Sequence, residues 1–178
     1  MASDPELYEL AQRVGHKLRA AERRLVTAES CTGGWVAKAL TDVPGSSQWF
    51  ERGYVTYSNA AKMHDLGVAT STLESFGAVS EQTVREMAEG ALRVTGVHVA
   101  LAVSGIAGPD GGTPGKPVGT VWFCAAARAG TAVDIIAEER LFGGDRNFVR
   151  SRSVQHALRL ILRLDLPVRP DSPRPQPA

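Results

Sequence analysis

The chain has 178 residues, 43% of them hydrophobic and 22% charged, with a formal net charge of +1, which describes one soluble domain able to bury about two-thirds of its unfolded surface without a disulfide or metal staple. The near-balanced charge excludes a generic nucleic-acid footprint, and no apolar run approaches the ~18 residues that a membrane span requires. Two distant cysteines, Cys31 and Cys124, four histidines without ligand spacing, and no signal-peptide pattern lead to the expectation of a cytoplasmic, bridge-free protein with no metal.

Pro5 suits a first helical turn, and Leu7, Leu10, Val14 and Leu18 recur at helical spacing, which predicts an amphipathic helix over 5–20. Arg24 to Ala28 is β-compatible and leads into Ser30 and Thr32, either of which can cap a second helix through Trp35, Val36 and Leu40, stopped by Pro44-Gly45. Residues 52–58 read as a strand, and Ser58-Asn59 as the cap of a short helix holding Lys62. Ser80 caps a further helix with Val84, Met87, Ala91 and Leu92, ending near Gly96. Val97 to Val103 is almost wholly apolar, as in a strand buried on both faces of a parallel sheet.

After a Gly/Pro-rich loop over 104–119, Thr120–Ala126 and Val133–Phe142 predict an antiparallel pair around Ala129-Gly130. A last helix from about Arg146 to Leu164 turns Val149, Ser153, Ala157, Leu160 and Ile161 inward. The alternation predicts an α/β fold, a three-layer α/β/α sandwich with a mixed, mostly parallel sheet, in one domain over 1–166. Half of the 10 prolines follow Leu166, so 167–178 is expected to be a disordered Pro-rich tail.

Four stretches carry chemistry. In Thr-Ala-Glu-Ser-Cys-Thr-Gly-Gly, 27–34, a hydroxyl between strand and helix sits where free N–H groups and the positive helix end favour an anion. Taken alone, Ser30 reads equally well as a helix cap. In Tyr-Val-Thr-Tyr-Ser-Asn-Ala-Ala-Lys, 54–62, Lys62 can fold back toward the strand ends as a base for a serine, and Tyr57 can relay a proton or orient the lysine. Taken alone, that segment reads more readily as an exposed lysine beside a packed tyrosine ring.

The loop from Ser104 to Gly119, with three prolines and six glycines, fits neither a Walker A nor a G-x-G-x-x-G pattern, but it follows a buried strand where ligands gather. In Phe142-Gly-Gly-Asp-Arg-Asn-Phe-Val-Arg150, Asp145 caps a helix, and Arg146 at its positive end calls for an anionic partner, either a phosphate or an acid of the protein.

Together these stretches resemble the C-terminal domain family of the competence/damage-inducible protein CinA, in its stand-alone form. The resemblance rests on 27–34, on Tyr-Val-Thr-Tyr-Ser-Asn at 54–59 with Lys62, on Ser-Gly-Ile-Ala-Gly-Pro-Asp-Gly-Gly at 104–112, on Lys-Pro-Val-Gly-Thr-Val-Trp-Phe at 116–123, and on Gly-Asp-Arg at 144–146. It implies nicotinamide-nucleotide amidohydrolase activity, with nicotinamide mononucleotide as substrate, no cofactor and no nucleic-acid or membrane partner. It also implies Ser30 as nucleophile, Lys62 as base, Tyr57 as an assisting group, and Ser104 and Arg146 as supporting positions. Substrate contacts are expected from Cys31, Thr32, Gly33, Asn59, Ser104, Gly105 and Arg146, with the N–H groups of Cys31 and Thr32 holding the oxyanion. Cys31 is the rival nucleophile, since a thiol at a helix start can have a lowered pKa. A nucleotide sensor that has kept the pocket is the non-catalytic alternative. A homodimer is expected.

Overall fold

The computed structural model describes residues 4–129 and 132–166. Five strands form one sheet in the order β2-β1-β3-β4-β5, where β1 is Leu25–Glu29, β2 Phe50–Val55, β3 Val99–Gly105, β4 Thr120–Ala129 and β5 Ala132–Leu141. β1 pairs in parallel with β2 and β3, whereas β3–β4 and β4–β5 are antiparallel. Four strands therefore share one direction and β4 alone opposes them, the mixed sheet that the sequence pattern predicts.

Helices α1 (Asp4–Ala20), α2 (Trp35–Thr41) and α6 (Arg146–Arg163) cover one face, and α3 (Asn59–Leu66), α4 (Thr70–Phe76) and α5 (Glu81–Thr95) the other. β3 shows why both layers are needed. Val99, Leu101 and Val103 enter the core with Leu10, Val14, Leu158 and Ile161, while Ala100 and Ala102 enter the second core with Val84, Met87 and Leu92. Successive strand side chains point to opposite faces, so a continuous apolar run is what a doubly covered strand requires. The small alanines let α5 pack close to the sheet. No helix among the described residues is long and apolar enough to cross a membrane.

Several details differ from the sequence reading. Neither Ser30 nor Thr32 caps α2: its N-cap is Gly34, left-handed at φ 89° and without a side-chain cap bond. The helix begins later because two consecutive glycines, Gly33 at φ 61° and Gly34, carry the chain through a conformation that residues with a Cβ rarely adopt. α4 is a short helix without an apolar period that the sequence reading passed over; its N-cap Ala69 offers no side-chain signal. Ser58, Ser80 and Asp145 do cap α3, α5 and α6, accepting from the N–H groups of Ala61, Thr83 and Phe148. The tail from 167 and the turn residue Gly130 lie outside the described residues.

Candidate active site

Sheet order places the site. From β1 the chain crosses to β2 on one side, while β3 lies on the other, so a crevice opens at the carboxyl ends of β1 and β3. A cavity of about 290 Å³ lies there, bounded by Ser30, Lys62, Tyr57, Ser104, the loop around Gly108 and Asp110, and Arg146.

Ser30 follows the last residue of β1, and its N–H donates to the Val103 carbonyl at 2.9 Å, which extends the sheet pairing by one residue. Lys62 comes from the second turn of α3, a helix seated deep against α5. The approach is possible because a Cβ at Gly90 would stand 1.9 Å from the Leu66 carbonyl. Arg93 also donates to that carbonyl at 2.9 Å.

Lys62 is thereby only 1% exposed, with Nζ 3.2 Å from Ser30 Oγ and 2.7 Å from the Thr56 carbonyl oxygen, to which it donates. Among the described residues no carboxylate pairs with it. Burial therefore pulls its pKa below the ordinary lysine value. As an ammonium it donates to Ser30 Oγ; as a neutral amine it presents a lone pair to the Ser30 hydroxyl. The reading of Lys62 as an exposed lysine does not hold.

Tyr57 is the reverse case, with 57% of its surface exposed. Its hydroxyl accepts from Arg146 at 2.8 Å, and the other terminal nitrogen of Arg146 donates to the Gly108 carbonyl at 2.8 Å. Of the two anionic partners open for Arg146, an acid of the protein is not found among the described residues, and Arg146 lines the cavity. Ser104, 1% exposed, donates to the Ala78 carbonyl at 2.7 Å and fastens the 77–80 segment as one wall. Gly105 closes β3 tightly against β4, where a Cβ would meet Val121 at 2.6 Å.

Other residues named for substrate contact stand apart from the cavity. Asn59 is exposed on the first turn of α3 and does not line the cavity, because Ser58 rather than Asn59 is the cap that turns toward the helix. Neither the Thr32 side chain nor Gly33 lines it. Thr32 is buried with its hydroxyl donating to Glu29 Oε2 at 2.7 Å, and Gly33 forms the left-handed corner. Cys31 does reach the cavity, but burial pushes its thiol up to about 12, which removes the expectation of a lowered pKa at a helix start.

Nor does the start of α2 offer an anion site. The Glu29 carboxylate already occupies it, accepting from the N–H groups of Gly34 at 3.0 Å, Val36 at 3.0 Å and Ala37 at 2.8 Å. The sequence reading missed this residue. The available signal was an acid at the end of an apolar strand just before two glycines and a helix, the pattern of an acidic side chain capping from the strand side. It also missed Arg150, which donates to the carbonyls of Cys31 at 3.1 Å and Thr32 at 2.8 Å. Its signal was the four-residue step from Arg146, which puts both on one helix face.

Fold and site define a three-layer α/β protein with a serine and a buried lysine paired at the switch point of its sheet. The chain belongs to the CinA C-terminal domain family, whose model matches residues 7–164. Nicotinamide-nucleotide amidohydrolase PncC of Escherichia coli K12 is 52% identical over 159 residues, covering 89% of this chain and 94% of that protein. The Pseudomonas putida protein of the same name is 51% identical over 155 residues, covering 87% and 94%. The crystal structure of competence/damage inducible protein CihA from Agrobacterium tumefaciens superposes with a TM-score of 0.84 at 44% identity, covering 88% of this chain and 94% of that one.

Proposed function

We propose that this protein is a cytoplasmic, cofactor-free amidohydrolase, acting as a homodimer, that converts nicotinamide mononucleotide and water to nicotinic acid mononucleotide and ammonia in pyridine nucleotide (NAD) recycling. The observation that carries the reading is the 3.2 Å approach of Lys62 Nζ to Ser30 Oγ inside the cavity. The names borne by relatives that match nearly end to end supply the substrate.

Neutral Lys62 keeps one N–H on the Thr56 carbonyl and takes the Ser30 proton as Oγ bonds to the carboxamide carbon. The carbonyl electron pair moves to oxygen, where backbone N–H groups of the Ser30 turn face it. Collapse breaks the C–N bond, and the Lys62 ammonium returns its proton to the leaving amine, releasing ammonia. Lys62 then takes a proton from water, whose oxygen bonds to the acyl carbon while Ser30 Oγ leaves with the proton from Lys62. Arg146 has N–H donors beyond the two already engaged, and these suit the substrate phosphate. Fixing the remote phosphate orients the amide at Ser30, an effect worth several kcal/mol in well-ordered sites.

Ammonia release from nicotinamide mononucleotide, compared with free nicotinamide and with the Ser30→Ala variant, tests the reading. Release from the nucleotide alone, abolished in the variant, is expected. Saturable nucleotide binding with no ammonia above the variant's background would establish the sensor instead.

A further inference from the structure

The turn that carries Ser30 is held from outside the cavity by a residue with no assigned role. Ser30 N–H is spent on Val103, and Gly33 N–H donates to the Ser30 carbonyl at 3.0 Å. The N–H groups of Cys31 and Thr32 donate to no backbone or side-chain oxygen among the described residues, and they are the donors left in this turn for an oxyanion. What they face is fixed by the carbonyls preceding them, since C=O and N–H of a trans peptide point in opposite directions.

The Ser30 carbonyl is tied back by Gly33. The Cys31 and Thr32 carbonyls are gripped by one guanidinium, Arg150 Nε at 3.1 Å and its terminal nitrogen at 2.8 Å. Arg150 does not line the cavity, although Cys31 does. Its guanidinium carbon lies 5.5 Å above the Trp35 ring, and it pairs with no carboxylate among the described residues. A cation held by an aromatic face and two carbonyls, with no acid to neutralise it, is costly as packing alone. A Cβ at Gly33 would stand 3.3 Å from the same guanidinium, so the turn and the arginine are fitted to each other.

We propose that Arg150 is a positioning residue: its grip on the Cys31 carbonyl keeps the opposite donor, Thr32 N–H, aimed at the oxyanion developing on the substrate bound to Ser30, and its grip on the Thr32 carbonyl holds Gly33 N–H on the Ser30 carbonyl, which in turn sets the Cys31 N–H. This rests on the amidohydrolase reading. Without the grip, the Cys31–Thr32 peptide is free to rotate, and each turnover must first restore the donors. α6 thus serves the site twice, Arg146 at the cavity and Arg150 one turn later beneath the nucleophile.

The test uses Arg150→Lys and Arg150→Gln in the full chain, with thermal unfolding to select folded variants. Two rates are read: ammonia release from nicotinamide mononucleotide, and phosphonylation of Ser30 by a small alkyl fluorophosphonate, which needs the same donors but no nucleotide. For Arg150→Gln the expected loss is about 100-fold in kcat with KM changed by less than about threefold, and a parallel loss in labelling rate, as for displaced catalytic geometry. Arg150→Lys, which retains one point charge but not the fork, falls between. Alkylguanidinium added to Arg150→Ala restores part of the rate.

Three results would overturn the proposal: folded variants with wild-type kcat and labelling, a rise in KM alone, or wild-type protein inert in both assays. Wild-type protein that labels at Ser30 but releases no ammonia sinks the amidohydrolase reading instead, and the labelling rates then decide the role of Arg150.

Discussion

Arg146 donates to the Tyr57 hydroxyl at 2.8 Å across 89 positions of sequence, joining the start of α6 to the segment between β2 and α3 beside the cavity. Neither Ser30 nor Lys62 hydrogen-bonds to that phenol; both of Lys62's contacts are to Ser30 and Thr56. On the proposed function, Tyr57 serves to hold the arginine for substrate. Tyr57→Phe deletes one hydrogen bond, so steady-state kinetics should show KM raised about 3- to 10-fold with kcat changed by less than about threefold. A large fall in kcat at constant KM would instead make Tyr57 a proton relay.

Glu29 is fully buried and accepts from Thr32 Oγ1 and from three N–H groups at the start of α2. Glu29→Gln keeps the shape but turns an acceptor into a donor facing those N–H groups. The variant should lose about 1–3 kcal/mol of stability in denaturant melts. Because the Ser30 turn hangs from the same carboxylate, kcat should fall with it.

The two missed residues show what the sequence could and could not tell. Strand β3 and the caps Ser58, Ser80 and Asp145 were legible because apolar runs and capping side chains are local signals. Ser30 and Lys62 stand out in their own segments and take their roles from the resemblance, but their approach depends on α3 seating against α5 at Gly90, a tertiary contact with no local trace. Ser30 and Thr32 are open as caps from sequence because a capping hydroxyl and a buried carboxylate reaching from the strand leave similar residues near a helix start. Asn59 sits beside the true cap, Ser58, and one position on a helix is a 100° change of direction.

Burial pushes the Cys31 thiol up to about 12, which favours the protonated form at neutral pH. Cys31→Ala should retain at least about a third of wild-type ammonia release, a change of less than ~1 kcal/mol in barrier. Loss of turnover in Cys31→Ala with retention in Ser30→Ala would reverse the assignment of nucleophile.

The pH dependence follows from Lys62, whose pKa burial lowers. The base must be neutral, so kcat should rise with pH through a single ionisation below the ordinary lysine value of about 10.4 and then level off. Stability carries the same sign. Between the folded and unfolded pKa the unfolded chain binds more protons, so the cost of burying the amine grows as pH falls from the unfolded value and is complete below the folded one. Lys62→Met, inactive but free of that cost, should gain in thermal stability relative to wild type by more at pH 7 than at pH 10.

The most direct measurement is acid quench of the protein turning over nicotinamide mononucleotide, followed by peptide mapping by mass spectrometry. The expected result is an acyl ester on Ser30 in wild type and none in Lys62→Met, with ammonia release by Ser30→Ala reduced at least about 1,000-fold. An adduct on Cys31, or ammonia release by Ser30→Ala at the wild-type rate, would contradict it.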